Sequence, residues 1–373
     1  VAFPTGWQYR CPIVIDADQV DDALADWPLL LTEANLPPEI FTDANADGSD
    51  IRASSDEAGT AELAVEVVSF DAGGTAEIWV QVPSVSAVAD TTIYLWFGNS
   101  SATLPAADSA FGSQAVWSND FAAVWHLEES GDGTAGEYRD STANANHGQG
   151  GGGTGSAVPT RVAGVTGYAQ QFDGGDYIDC GGVVHDADND QIAVTAWVQF
   201  SSLATEMAIA GEYGNPDFAS GWLFALQGNV ANDPLRLLLP GVISHYSGVS
   251  GLAAGTWYLL AVTYDKQHVR FFKNGEQISA HAQTAAVVPA TRNLFLGAFN
   301  IAGTASSKLS GLLDSSRISS VARSPAWIAA DYASQSAPGT FAAAGTVADL
   351  SSSTPAFVPW LIQPSRIIGG GIA

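Results

Sequence analysis

Short apolar runs recur along most of the chain. Each is rich in β-branched and aromatic residues and is bounded by Gly, Asn, Asp or Ser. Between Val124 and Ile318 these runs are Val124–Leu127, Phe172–Ile178, Val194–Val198, Trp257–Asp265, Phe272–Glu276 and Gly311–Ile318. An earlier set covers Trp7–Ile15, Asp26–Leu31, Leu63–Phe70, Ala76–Pro83 and Thr92–Asn99, with an Asp47-Gly48 turn feeding Ile51-Arg52. Alternation over a few residues followed by turn chemistry predicts strands, and a succession of such short runs between turns reads as β-sandwiches. Helical signal is confined to Ser324–Tyr332, where Ser324 is placed to cap and Pro325 suits a first turn. The pattern therefore predicts an all-β chain: two β-sandwich, jelly-roll-like domains in tandem, one short helix and an extended C-terminal tail.

The divisions fall at 1–118, 119–345 and 346–373. Residues 110–127 join the sandwiches without a Pro- or Ser-rich linker, so they are expected to pack against each other. Residues 148–155 are Gly-rich. Lacking a following Lys-Ser/Thr, they read as a flexible surface loop and not a phosphate cradle. The tail is apolar, Pro-punctuated and Gly-ended. It cannot build a core alone, and Trp360, Ile367 and Ile368 are expected to dock it on a neighbouring subunit.

Charge sharpens this picture. Only 14% of residues are charged, yet the formal net charge is −26, and the lysines are Lys266, Lys273 and Lys308. Such a surface repels nucleic acid and anionic membranes. No stretch is long and apolar enough to span a bilayer. The chain enters domain sequence at Val1 with no secretory leader pattern; either a leader has been cleaved or the protein is expected to leave the cell by another route, such as inside an assembling particle. Cys11 and Cys180 read as two buried free thiols, with a cross-domain disulfide left open.

Catalytic signals are weak. The sequence has no nucleophile elbow, no zinc His-Glu-x-x-His and no Cys-x-x-Cys. The histidines at 126, 147, 185, 245, 268 and 281 show no ligand spacing. His126, beside Trp125, reads as a satisfied or surface histidine ahead of a base. Glu128 with Glu129, and Asp173 with Asp176, are carboxylate pairs of the kind glycoside hydrolysis needs, but so acidic a chain produces them by chance. Asp43-Ala-Asn45-Ala-Asp47-Gly48 matches half of a calcium-binding EF-hand loop. Ser54 stands where the closing Glu is required, so an Asx-rich turn is favoured. Tyr213, Trp222, His245 and Tyr246 lie in or near loops and are candidates to stack on and hydrogen-bond a glycan; the competing reading is that such rings fill the core.

The runs from Val-Trp-His-Leu (124–127) through Asp140-Ser-Thr-Ala-Asn144 to Gly311-Leu-Leu-Asp314 resemble the laminin-G-like, concanavalin A-like jelly roll. The Trp7-x-Tyr9-Arg10-x-Pro12-Ile13 opening, the Asp47-Gly-x-Asp50-Ile-Arg52 turn and the Ile78-Trp-Val-x-Val-Pro83 strand resemble an uncharacterised β-sandwich domain common in bacterial surface and phage structural proteins. The first resemblance implies ligand binding, often of glycans, more than chemistry. It also implies a Ca²⁺ site joining Asp140 to Asp314, the competing reading being that Asp140 caps a turn and Asp314 is a buried hydrogen-bonding residue. The second carries no catalytic residues. Together they imply a non-enzymatic phage virion surface protein in a tail, fibre or capsid-decorating position. Its partners would be other virion subunits, further copies of itself among them, and host glycans, without nucleic acid or membrane insertion. An exported bacterial adhesion or glycan-binding protein of the cell surface is the alternative, and a glycan hydrolase the next.

Overall fold

A computed structural model describes residues 3–182, 191–214, 220–228, 232, 234–239, 244–284, 292–301 and 303–351, with the side chains of 213 and 214 excepted. It is all-β apart from short helices, as the alternation predicts.

The first sandwich has two sheets. One contains Tyr9–Ile15 beside Thr91–Phe97, then Arg52–Ser54 and Glu62–Leu63; the other is Leu24–Thr32, Thr75–Val85 and Val65–Asp71. Successive side chains of a strand point to opposite faces. Cys11, Ile13 and Ile15 accordingly face inward against the Leu29–Leu31 and Ile78–Val82 strands.

The other edge of Tyr9–Ile15 is completed from far along the chain. Ala342–Ala344 and Ala348–Asp349 pair with it antiparallel, Ile15 opposite Ala342 and Tyr9 opposite Asp349. The sequence reading places 342–345 in the jelly roll and 346 onward in the tail. The structure instead gives both short strands to the first sandwich. An Ala-rich run carries almost no alternation, so local pattern could not reveal this non-local pairing. Residues 352–373, including Trp360, Ile367 and Ile368, lie outside the described residues.

The second sandwich packs an eight-stranded sheet on a seven-stranded one. In the larger sheet Ile192–Phe200 lies between Trp257–Tyr264 and Ser310–Ser319. Its period of two divides single strands between two cores. Leu260 and Val262 enter the jelly-roll core while Ala261 enters the core of the first sandwich. Phe271 and Phe272 divide in the same way, as do Trp125 and Val124. The strand Phe121–Trp125 is consequently buried at every position. A sheet covered on both faces reads as an unbroken apolar run.

The helix Pro325–Ser336 fills the remaining gap. Ser324 caps it by accepting from the Trp327 amide. Trp327 meets Trp27 of the first sandwich edge-on, with ring centroids 4.6 Å apart. On the jelly-roll side the Trp197 indole donates to Gln335 at 3.0 Å. The two cores thus pack closely against each other across the join, as its shortness implies.

The Gly-rich stretch is an ordered turn and not the flexible loop expected. Gly151, Gly152 and Gly153 all have positive φ, and the Gly151 amide donates to the Tyr177 carbonyl at 2.7 Å. Glycine is required because those angles strain any residue with a Cβ.

Candidate functional site

The ionisable groups converge where the sandwiches meet. Thr75–Val85 presents Glu77 and Trp79 on one face, and the Trp79 indole N–H donates to Glu77 Oε1 at 2.8 Å. The neighbouring strand Val65–Asp71 presents Glu66, which accepts from the Trp117 indole at 2.5 Å and the Ser141 hydroxyl at 2.6 Å. His126, just beyond Phe121–Trp125, enters between the two acids. Its Nε2 lies 3.1 Å from Glu66 and its Nδ1 3.0 Å from Glu77. The Arg317 guanidinium covers the Trp79 ring at 4.6 Å and pairs with Asp331 of the helix at 2.6 Å.

Burial and charge set the protonation here. Desolvation pulls His126 down, but the Glu66 and Glu77 charges outweigh it and push its pKa up to about 10. Desolvation pushes Glu77 up, yet the His126 charge and the hydrogen bonds around it leave it below its ordinary value. Glu128, next along the chain, is raised to about 9 by burial and then by the Glu77 charge, and it hydrogen-bonds to Glu77 as the protonated partner. Its Oε1 accepts from the Tyr168 amide at 2.6 Å. Burial, then Glu77, raises Asp314 well above the usual carboxylate range. Asp314 Oδ2 accepts from the Val165 and Thr166 amides at 2.7 and 3.2 Å.

This arrangement is suited to holding two modules together. The imidazolium is fixed between carboxylates and has no reason to exchange its proton near neutral pH. Glu77 is 1% exposed, so a sugar cannot reach it. Glu128 and Glu129 do not act as a pair flanking a bond, since Glu129 turns away to accept from the Arg139 amide at 2.8 Å. Asp173 and Asp176 close their own turn, with Asp176 accepting from the Asp173 amide at 2.8 Å. His126 is therefore the satisfied histidine expected, while Glu66, Glu77, Trp79, Trp117 and Arg317 were missed. The one available signal was an acid within each of two β-rich runs, Val65-Glu66-Val67 and Ala76-Glu77-Ile78.

The two acids expected to share calcium each accept from nearby backbone amides. Asp140 Oδ1 accepts from the Val124 and Thr142 amides, both at 3.0 Å. Asp140 Oδ2 accepts from the Thr142 hydroxyl at 2.9 Å and the Asn146 amide at 2.8 Å. Those four donors make it a loop clamp, whereas Asp314 serves the 164–166 turn. Among the described residues no group of three or more His, Cys, Asp or Glu side chains could hold a metal ion. In the 43–48 turn, Asp47 accepts from the Ser49 amide at 3.0 Å, as an Asx turn does, while Asp50 just beyond it takes the Asn45, Gly98 and Asn99 amides.

The glycan candidates separate. Trp222 is 0% exposed in the jelly-roll core, which corrects its reading as a surface platform. Tyr246 is 39% exposed at the sheet edge, in the short strand His245–Tyr246. His245 Nε2 meets the Gln283 amide at 2.9 Å. The Tyr213 side chain lies outside the described residues. Both cysteines are free and buried, which removes the cross-domain disulfide.

A cleft of about 560 Å³ opens beside this junction. Glu33 and the 69–76 hairpin of the first sandwich form one wall, and residues 163–168 with Glu128 form the other.

No curated protein sequence matches the chain. Among solved structures, domain 4 of AbnA, a GH43 extracellular arabinanase of Geobacillus stearothermophilus in complex with arabinotriose, is 20% identical over 57% of this chain and 98% of that one, with a TM-score of 0.45. The botulinum neurotoxin serotype D binding domain is 14% identical over 60% of this chain and 53% of that one, TM-score 0.42. The Ruminococcus gnavus IT-sialidase CBM40 bound to α2,3 sialyllactose is 14% identical over 38% and 82%, TM-score 0.34. Residues 172–329 match the family model described as the concanavalin A-like lectin/glucanases superfamily, and residues 47–112 match a domain of unknown function, DUF2341. The chain thus carries a DUF2341 module followed by a laminin-G-like module of the concanavalin A-like superfamily.

Proposed function

We propose that this is a non-catalytic surface protein of a phage virion, in a tail, fibre or capsid-decorating position, whose laminin-G-like module contacts host glycans. The observation that carries the non-catalytic part is the junction. His126, Glu66 and Glu77 are buried with indole and hydroxyl partners, and they cement two sandwiches into one body. A superfamily that includes lectins and glucanases offers both roles, and acids built into packing favour the lectin role. The company of the first module is compatible with the virion setting, since its motifs resemble a domain common in phage structural proteins and in bacterial surface proteins alike.

Incubation with bacterial surface polysaccharide tests the first part. Retention without release of reducing ends is expected, whereas release of reducing ends by the purified wild-type protein would establish a hydrolase. Immunogold labelling tests the setting: intact particles should be decorated, and labelling of uninfected bacterial surfaces would favour an exported adhesin instead.

A further inference from the structure

The cleft between the modules has the furnishings of a ligand site. Tyr168 lines it, 44% exposed, with the Arg161 guanidinium 4.2 Å from its ring centroid. Glu33, Asp71 and Glu128 supply carboxyl groups, while Ser69 and Thr75 also line it. No Lys or Arg stands among the lining residues. Glu33 and Asp71 are anchored by accepting from the Ala76 and Gly73 amides at 3.3 and 2.7 Å, and each carboxylate keeps further lone pairs for a donor.

The wall behind is closely packed. A Cβ on Gly164 would lie 2.5 Å from Asp314 Oδ2, and one on Gly167 would collide with Glu128. Just behind this wall, Asp314 Oδ1 and Thr166 Oγ1 have no hydrogen-bond partner, though their residues are 0% and 4% exposed. Buried polar atoms left open call for a ligand group or a water bridging to one.

We infer that this cleft is a saccharide subsite for neutral or amino sugars and that it excludes sialylated and uronate-bearing glycans. The inference rests on the glycan-binding reading above and gives it a location. An aromatic ring offers a sugar face apolar contact. Acceptors around it suit hydroxyl or ammonium donors, and the Glu33 and Asp71 carboxylates, set against the single Arg161 cation held on the Tyr168 ring, repel an acidic sugar. Both modules contribute walls, so neither forms the site alone.

A glycan array carrying neutral, amino-sugar, sialylated and uronate-bearing oligosaccharides, probed with the full chain, decides it. Wild type should retain neutral or amino-sugar glycans and not the acidic ones. Tyr168→Ala should weaken binding at least tenfold, Tyr168→Phe should keep most of it, and Glu33→Gln with Asp71→Asn should weaken it at least fivefold. Tyr246→Ala should stay within twofold. If wild type binds but the cleft variants stay within twofold, or if acidic glycans are preferred, the cleft assignment falls while glycan binding stands. If wild type retains no glycan, both fall.

Discussion

Replacing Glu128 with Gln should make the protein more stable at pH 8, although it removes a hydrogen-bonded side chain. Glu128 is held at about 9, by burial first and the Glu77 charge second, against an ordinary value of 4.5. A group whose folded pKa is raised contributes stability fully below its unfolded value, and that contribution is lost as pH climbs toward the folded value. The window here is therefore about 4.5 to 9. At pH 8 the undiscounted penalty is about 5 kcal/mol at ~1.4 kcal/mol per pH unit. Glu128 borders the cleft, where water screens it, so about 2 kcal/mol is expected. A glutamine can still donate to Glu77 and accept from the Tyr168 amide without carrying charge. For a chain of this length that gain is about 3 °C in Tm. Thermal unfolding of wild type and Glu128→Gln from pH 5 to 10 measures it. The variant's curve should be flatter up to pH 9, and the slope left between about 6.5 and 10 belongs to His126, which acts in the same direction. A variant less stable than wild type at pH 8, or one with an unchanged slope, would mean that Glu128 is ionised in the folded protein and that this account of the junction is wrong.

Ending the chain after Phe341 should unfold the first sandwich, because Tyr9–Ile15 would lose the partners it has in Ala342–Ala344 and Ala348–Asp349; protease resistance of residues 1–118 in the truncated protein checks this. Trp27→Ala should cost about 3–5 kcal/mol, since the ring is wholly buried against Trp327, and denaturant unfolding should become two separate transitions as the modules uncouple. Cys11 and Cys180 should resist a thiol reagent at pH 8 until denaturant is added: burial raises Cys11 to about 11 and Cys180 well above its ordinary value.

Much of the fold was legible. Period-two runs such as Ile78-Trp79-Val80 and Val194–Val198 identify strands because one face must meet a core, and Ser324-Pro325 marks a helix start because both chemistries act locally. The site was less legible. Glu77 and His126 lie 49 residues apart, as their numbers show, and no spacing rule links them. Trp222 looked available because it stands near turns, but which rings face solvent depends on what packs above them.

The amino-acid order by itself determined the strands, the two sandwiches, the acidic surface and the resemblance to laminin-G-like modules, since these follow from alternation, turn chemistry and charge. Tertiary structure alone decided three things: that Ala342–Asp349 returns to the first sandwich, that His126 becomes a charged tie between modules, and that a carboxyl-lined cleft opens beside it. Each depends on groups distant in sequence meeting in a medium of low dielectric, where desolvation and neighbouring charge, neither visible along the chain, fix protonation and packing.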